Sequence, residues 1–354
     1  MAYIEYKDIN FKYRTKAIID MARAICQQYA RQGYDLTLRQ LYYQFIARDA
    51  FPNTEKSYKM LGSIINDARI GGELDWDWLT DRGRDIDARS HWSSATQFVR
   101  SVAPQLHIDF WEDQNVHLEV WVEKQALAGV VERVCRGFDV TSLACKGYLS
   151  QSEMHVAAMR LLSKIKDGKR IQILHLGDHD PSGKDMSRDN ESRLRAFIGH
   201  HLAEDYAVYR DQDKQENPTT SWIYDWGQFT SLVEEDHDVD FDGAELLDVD
   251  RIALNMDQVR QYNPPPNYAK ITDSRAAGYI AEFGQNSWEL DALPPDVLST
   301  LITDRIGVHI DFTKYQARQR REDLYKRKIS ELIAAHGDML EVTEDELTNT
   351  EEES

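Results

Sequence analysis

Asp178 and Asp180 stand one residue apart, directly after a run from Arg170 to Leu176 that alternates as a buried strand does. Gly177 breaks the run, Pro181, Ser182 and Gly183 supply turn chemistry, and a helical pattern follows. In extended backbone the side chains of i and i+2 point the same way, so one hard cation such as Mg²⁺ can take an oxygen from each. The carboxyl end of a strand in an open α/β sheet is also where ligands bind. An isolated Asp-x-Asp is more often a solvated turn. A second strand-like run, His117 to Glu123, changes the balance, because it too ends in a carboxylate and leads into a helix-like stretch, Lys124–Arg136. If the two strands are neighbours, Glu123, Asp178 and Asp180 cluster. Three close carboxylates repel one another unless a divalent cation neutralises them.

A second chemical pair lies near the N-terminus. Thr37 and Gln40 have the spacing of a capping box, and Leu38, Leu41, Tyr42, Phe45 and Ile46 form an apolar stripe on the helix that follows, Leu38–Arg48. Tyr42 belongs to the stripe. Tyr43 lies off it, one turn after Arg39, so those two share a face. A phenol titrates near ~10 and is a weak nucleophile at neutral pH. A guanidinium one turn away can stabilise the phenolate, or hold a phosphate that it attacks. The bland alternative is an exposed Tyr–Arg stack.

These residues need a scaffold. Residues 1–105 read as mostly helical, with helices at Thr15–Gln32, Leu38–Arg48 and Glu55–Arg69, the last capped by Asn53. The Trp-rich Leu74–Leu79 and the charged Thr80–Arg89 suggest a short hairpin. Three helices and a hairpin are the order of a winged helix-turn-helix domain. Residues 106–116 read as a linker. From 117 the pattern alternates: Leu118–Val122, Lys124–Phe138, Val140–Leu143, Gln151–Lys166 behind a Ser150/Glu153 capping box, Arg170–Leu176 and Ser182–His200. Such alternation predicts an α/β domain with a Rossmann-like parallel sheet, here over 117–336. Trp222–Phe229 and Asp248–Leu254 read as further strands. Leu293–Ile306 and Thr313–Ala335 read as helices, the second basic over Gln316–Lys328. Residues 337–354 read as an acidic, disordered tail.

Composition bounds the possibilities. The chain has 354 residues and 42% hydrophobic content. No apolar run nears the ~18 residues of a membrane span, and the N-terminus lacks a signal-peptide core. Cys26, Cys135 and Cys145 form neither a disulfide framework nor a zinc pattern, which points to a reducing cytoplasm. A net charge of −19 argues against nucleic acid at first sight. However, Glu234–Asp250 holds nine acidic residues and Asp338–Ser354 holds eight, with no Lys or Arg in either. Those two segments account for almost all of the excess, so the remainder can still carry a basic groove.

Taken together, the motifs resemble one family. Leu36-Thr-Leu-Arg-Gln-Leu-Tyr-Tyr-Gln-Phe45 resembles the catalytic-tyrosine helix of topoisomerase VI A subunits and the related meiotic double-strand-break transesterase. Val122-Glu-Lys124 and Gly177-Asp-His-Asp-Pro-Ser-Gly183 resemble the acidic motifs of that family's Toprim domain, in the same order, with Gly147-Tyr-Leu-Ser150 resembling the loop between them. Pro266–Arg275 and Trp288–Pro295 resemble its C-terminal part, and Asn53–Arg84 is most like the short mini-A variants of phages and plasmids. Gln40 and His179 depart from the commoner family residues.

The resemblance implies a winged helix joined to a Toprim domain, and type IIB double-strand cleavage of DNA through a 5′-phosphotyrosyl link. Tyr43 would be the nucleophile, with Arg39 assisting. Glu123, Asp178 and Asp180 would bind Mg²⁺, with Mn²⁺ as an alternative. The chain would act as a cytoplasmic, nucleoid-associated homodimer in which each tyrosine reaches its partner's acidic site. Lacking a phosphate-binding loop of its own, it would borrow a separate B-like ATPase subunit of the GHKL type. Lys146, Arg82 and Arg84 are candidate DNA-backbone contacts, and His179 is more suited to hydrogen bonding than to metal. Two rivals remain: a Toprim hydrolase in which water replaces Tyr43, and a non-catalytic DNA-binding module. A metallophosphoesterase is disfavoured because the His-rich partner motifs are missing. The transesterase reading requires a reachable Tyr43 hydroxyl and three acids close enough to share an ion.

Overall fold

A computed structural model describes residues 5–80, 91–208, 224–268 and 275–342. They fall into two compact units: residues up to 84 with 115–309, and 85–114 with 310 onward. The chain thus enters the second unit before the sheet begins and returns to it after the sheet is complete.

The first unit opens with α1 (Tyr13–Arg31), α2 (Leu38–Ile46) and α3 (Glu55–Ile70). Ile19, Ile25 and Tyr29 of α1, Leu41, Tyr42 and Phe45 of α2, and Leu61 and Ile65 of α3 close one apolar core. The predicted Thr37–Gln40 capping box forms. The cap of α3 is Thr54 rather than Asn53: its Oγ1 accepts from Ser57 N at 3.2 Å. Its own N–H donates to Tyr42 Oη at 2.8 Å, so the buried tyrosine selects the capping residue. The expected hairpin arm at 74–79 is not a strand. Asp75 accepts from Asp77 N and starts a 3-10 turn at Trp76–Trp78, and Leu79 makes one isolated parallel bridge to Leu36. The other arm, at 80–89, lies almost wholly outside the described residues.

After α4 (Ala95–Val102), which lies in the second unit, come β1 (Val116–Val122), α5 (Ala128–Gly137), β2 (Thr141–Ala144), α6 (Gln151–Lys166), β3 (Arg170–Leu176) and α7 (Pro181–Asp205). The chain continues through α8 (Trp226–His237), β4 (Leu247–Ala253), α9 (Met256–Tyr262), β5 (Asn267–Tyr268), α10 (Ala276–Phe283), β6 (Asn286–Ser287) and α11 (Pro295–Val308). Trp222–Phe229 was expected as a strand. Its described part instead starts α8, because Asp225 accepts from Gln228 N at 3.1 Å and Phe229 and Val233 bury one turn apart.

The main sheet is parallel throughout, in the order β2-β1-β3-β4. Helices α6 and α7 cover one face, where Trp121, Leu161, Ile173 and Leu194 share a core, and α5 and α11 pack together across the other. The α/β architecture read from the alternation is therefore present. Glu119 faces the α6 side fully buried, held by Arg160 through two contacts of 2.9 Å and by Trp121 Nε1 at 2.8 Å. Burial alone would raise its pKa, but hydrogen bonds from His117, Arg160 and Trp121 and the Arg160 charge pull it down to about 2.

The second unit is built on α12 (Phe312–His336). Tyr315 lies edge-on to Phe110 and Trp111, Glu322 Oε2 accepts from Ile108 N at 3.0 Å, and Arg318 pairs with Asp113 at 2.5 Å. The tail begins with a 3-10 turn, Gly337–Leu340, and residues 343–354 lie outside the described ones. No described helix is long and apolar enough to cross a membrane.

Candidate functional site

From β1 the chain crosses to β2 on one side and then returns to β3 on the other. The winding therefore reverses between β1 and β3, and a crevice opens at the carboxyl ends of such a pair. Val122 and Leu176 are paired in register, so Glu123 and Gly177 emerge side by side. Glu123 N donates to Leu176 O at 2.9 Å, and Glu123 Oε2 accepts from Asp178 N at 2.8 Å. Space at 177 is tight: a Cβ there would lie 3.0 Å from Glu123 Oε2 and 3.1 Å from Arg251 Nη1, so both side-chain ends would have to shift. At Gly183 a Cβ would meet Asp178 O at 2.2 Å, so only glycine lets the first turn of α7 close on the acidic turn. Arg251, from β4, staples the turn by donating to the carbonyls of Gly177 (3.0 Å), Asp178 (2.6 Å) and Gly183 (2.8 Å).

The three carboxylates are adjacent but differently engaged. Asp180 caps α7, its Oδ1 accepting from Gly183 N at 2.6 Å and Ser182 Oγ at 2.9 Å. Asp178 uses both oxygens: Oδ1 accepts from Leu290 N at 2.8 Å and Oδ2 pairs with Lys124 Nζ at 2.8 Å. Burial pushes Asp178 up to about 7 against the pull of Lys124. Burial also raises Glu123, and the Asp180 charge adds to the effect. Among the described residues no three acidic, histidine or cysteine side chains are arranged to hold an ion. In this arrangement Lys124 supplies the positive charge at Asp178. Glu123 Oε1 and Asp180 Oδ2 carry no hydrogen bond among the described residues. Two carboxylates with free oxygens fit Mg²⁺, which is commonly held by one or two carboxylates and completes its shell with water or phosphate.

The segment after β6 links this turn to α2. Trp288 and His179 exchange backbone hydrogen bonds at 2.8 and 2.9 Å. Lys124 Nζ lies 2.8 Å from Glu289 and 3.0 Å from Asp291, and Asp291 is 1% exposed. Arg39 pairs with the same two acids, at 2.9 Å to Asp291, and its Nη2 lies 3.4 Å from Tyr43 Oη. Tyr43 shares the Arg39 face as the spacing predicted, but it is not at the surface: it is 3% exposed, on a helix against which the Leu290–Ala292 turn packs. Burial and the charges of Asp291 and Glu289 push its phenol well above the ordinary value. The expectation of a reachable hydroxyl is therefore not met in this arrangement. Glu289 and Asp291 were missed as site residues. The only signal was their i, i+2 spacing in Trp288–Pro295, without any cue to a pairing some 250 residues away.

The remaining candidates separate clearly. Lys146 is exposed on the loop after β2, with a left-handed backbone (φ 56°). Gly147 N donates to Glu123 O at 3.0 Å, so that loop borders the acidic turn. Arg82 and Arg84 lie outside the described residues. His179 is buried, hydrogen-bonded to Tyr279 Oη at 2.7 Å and edged by Phe283 and Trp288. Burial and the nearby Lys184 and Arg251 charges lower it to about 4, which leaves it neutral and structural. His175 meets Ser187 Oγ at 2.7 Å and is lowered by burial to about 3. A cavity of about 450 Å³ at the N-terminus of α2 has a mixed lining, with Arg39, Asn66 and Arg69 set among Leu38, Ile65 and Leu79, and Arg39 is the residue it shares with the Tyr43–Arg39 pair. Comparison of the chain with family models, with curated proteins and with solved structures returns no match.

Proposed function

We propose that this chain cleaves and rejoins both strands of duplex DNA by tyrosine transesterification, in the manner of a type IIB topoisomerase A subunit. One observation carries the reading: an unbroken line of contacts from Tyr43 through Arg39, Glu289 and Asp291 to Lys124 and Asp178, which brings a phenol, two cations and the acidic turn into one network. In the reaction Tyr43 Oη attacks phosphorus and loses its proton to solvent. The P–O3′ bond breaks, and the leaving sugar oxygen takes up a proton. Arg39 stabilises charge on the non-bridging oxygens. Glu123 and Asp180 would hold Mg²⁺ or Mn²⁺, whose charge supplies further stabilisation of the phosphate. The reverse step reseals the strand, because the phosphotyrosyl bond conserves the energy of the one broken.

The finer assignments belong to the same proposal. They are a winged-helix reading of residues 1–105, backbone contacts from Lys146, Arg82 and Arg84, a homodimer whose two-fold matches that of duplex DNA, and a separate ATPase subunit. With Tyr43 3% exposed, this reading takes the described arrangement as a closed one. Attack then requires the Leu290–Ala292 turn and α2 to part, which makes cleavage conditional on DNA or a partner.

The same burial favours a second reading, a hydrolase in which water attacks and Tyr43 is structural. The test is to incubate supercoiled DNA with the protein and Mg²⁺ or Mn²⁺, denature, and look for protein on 5′ ends. The transesterase gives a protein-linked linear product that is lost in Tyr43→Phe. Strand breaks that survive Tyr43→Phe would assign the hydrolase.

A further inference from the structure

We infer that α12 is a second docking surface for the nucleic-acid backbone, carried by the second unit. Between Lys314 and Lys328 the helix carries seven cations against two carboxylates, in a chain whose net charge is −19. Tyr315 and Glu322, seven residues apart, mark its buried line. Two of the cations are already used within the unit, Arg318 on Asp113 and Lys326 on Glu322. Lys314, Arg320, Arg321, Arg327 and Lys328 are exposed, and among the described residues no carboxylate pairs with them. At 100° per residue these five fan out around the face opposite the Tyr315–Glu322 line.

Tyr325 lies among them, exposed, with Arg321 5.6 Å over its ring. Arg321 Nε also donates to Tyr325 Oη at 3.0 Å, and an aromatic side chain among cations that lack carboxylate partners suits a phosphate backbone and its bases. From Lys314 to Lys328 the helix runs about 21 Å, alongside which duplex DNA carries roughly twelve phosphates. An anionic membrane surface fits less well. A helix lying in that interface needs an apolar face, and the exposed face here offers mainly Leu324 among its cations.

The inference rests on the DNA reading only for the choice of probe, and its test involves no cleavage. Binding of a fluorescein-labelled 30-base-pair duplex would be followed in EDTA by anisotropy, with the full chain carrying Tyr43→Phe, across a salt series. The expected result is a steep fall of log affinity with log salt. Replacing the five cations with Gln should reduce that slope by about 4 and weaken binding at least tenfold, with the circular dichroism unchanged. Lys314→Arg with Lys328→Arg should keep the slope. An unchanged slope in the folded five-Gln variant would overturn the inference. So would binding to vesicles rich in anionic lipid that the duplex does not compete away.

Discussion

The acidic turn after β3 and the helix α12 both concentrate charge, and they handle it in opposite ways. At the turn the charges face one another. Asp178 meets Lys124 at 2.8 Å, Lys124 meets Glu289 and Asp291, and Arg39 closes the series beside Tyr43. On α12 five cations point to solvent without carboxylate partners among the described residues. Buried charges must be paired, so they fix geometry and leave little free for a ligand. Exposed charges cost little to leave unpaired and remain available to a polyanion. What matters at the turn is therefore which oxygens are left over, and those are Glu123 Oε1 and Asp180 Oδ2.

The largest expected effect tests that division. Glu123→Gln and Asp180→Asn should each lower DNA cleavage by roughly 10³- to 10⁴-fold, the several kcal/mol that a divalent ion's charge stabilisation is worth. Asp180→Asn keeps the α7 cap, so its thermal stability should stay near wild type. Cleavage that survives both changes would remove the acidic pair from the chemistry.

Lys124→Met sharpens the contrast from the other side. It leaves buried Asp178 without its cation and Asp291 with Arg39 alone, and should cost about 3–4 kcal/mol in denaturant unfolding. It also frees Asp178 as a third ligand, so added Mg²⁺ should raise the melting temperature of the variant more than that of wild type. Equal shifts would show that Lys124 does not compete with metal.

Glu119 offers a third probe, a buried carboxylate with no part in the site. Its folded pKa is depressed to about 2, so its stabilisation is fully present above the unfolded carboxylate value and is lost as pH falls through the folded one. Wild type should lose roughly 3 kcal/mol between about pH 5 and pH 2 from this group alone, and Glu119→Gln should show a flatter acid limb. Identical limbs would contradict the Arg160 pairing.

How much of this was legible in the sequence depended on how local each cause is. The strand Arg170–Leu176 and the capping boxes at Thr37 and Ser150 follow from neighbouring residues, and they form as read. Tyr43 was read as surface because helical periodicity reports one buried face. Here α2 is buried on two sides, by its own three-helix core and by a turn some 250 residues later. The pairing of Lys124 with Asp178 has no local cue, because in the sequence that lysine stands only as part of a motif. At Trp222–Phe229, read as a strand, the Asp225 cap decides the local structure of the described part.

The most direct measurement is to locate the covalent bond. After cleavage in Mg²⁺, nuclease digestion and trypsin, the peptide Gln40–Arg48 should carry a nucleotide remnant linked at Tyr43 in tandem mass spectra. Strand breaks accompanied by an unmodified Gln40–Arg48 peptide would contradict the account, and would assign the attack to water.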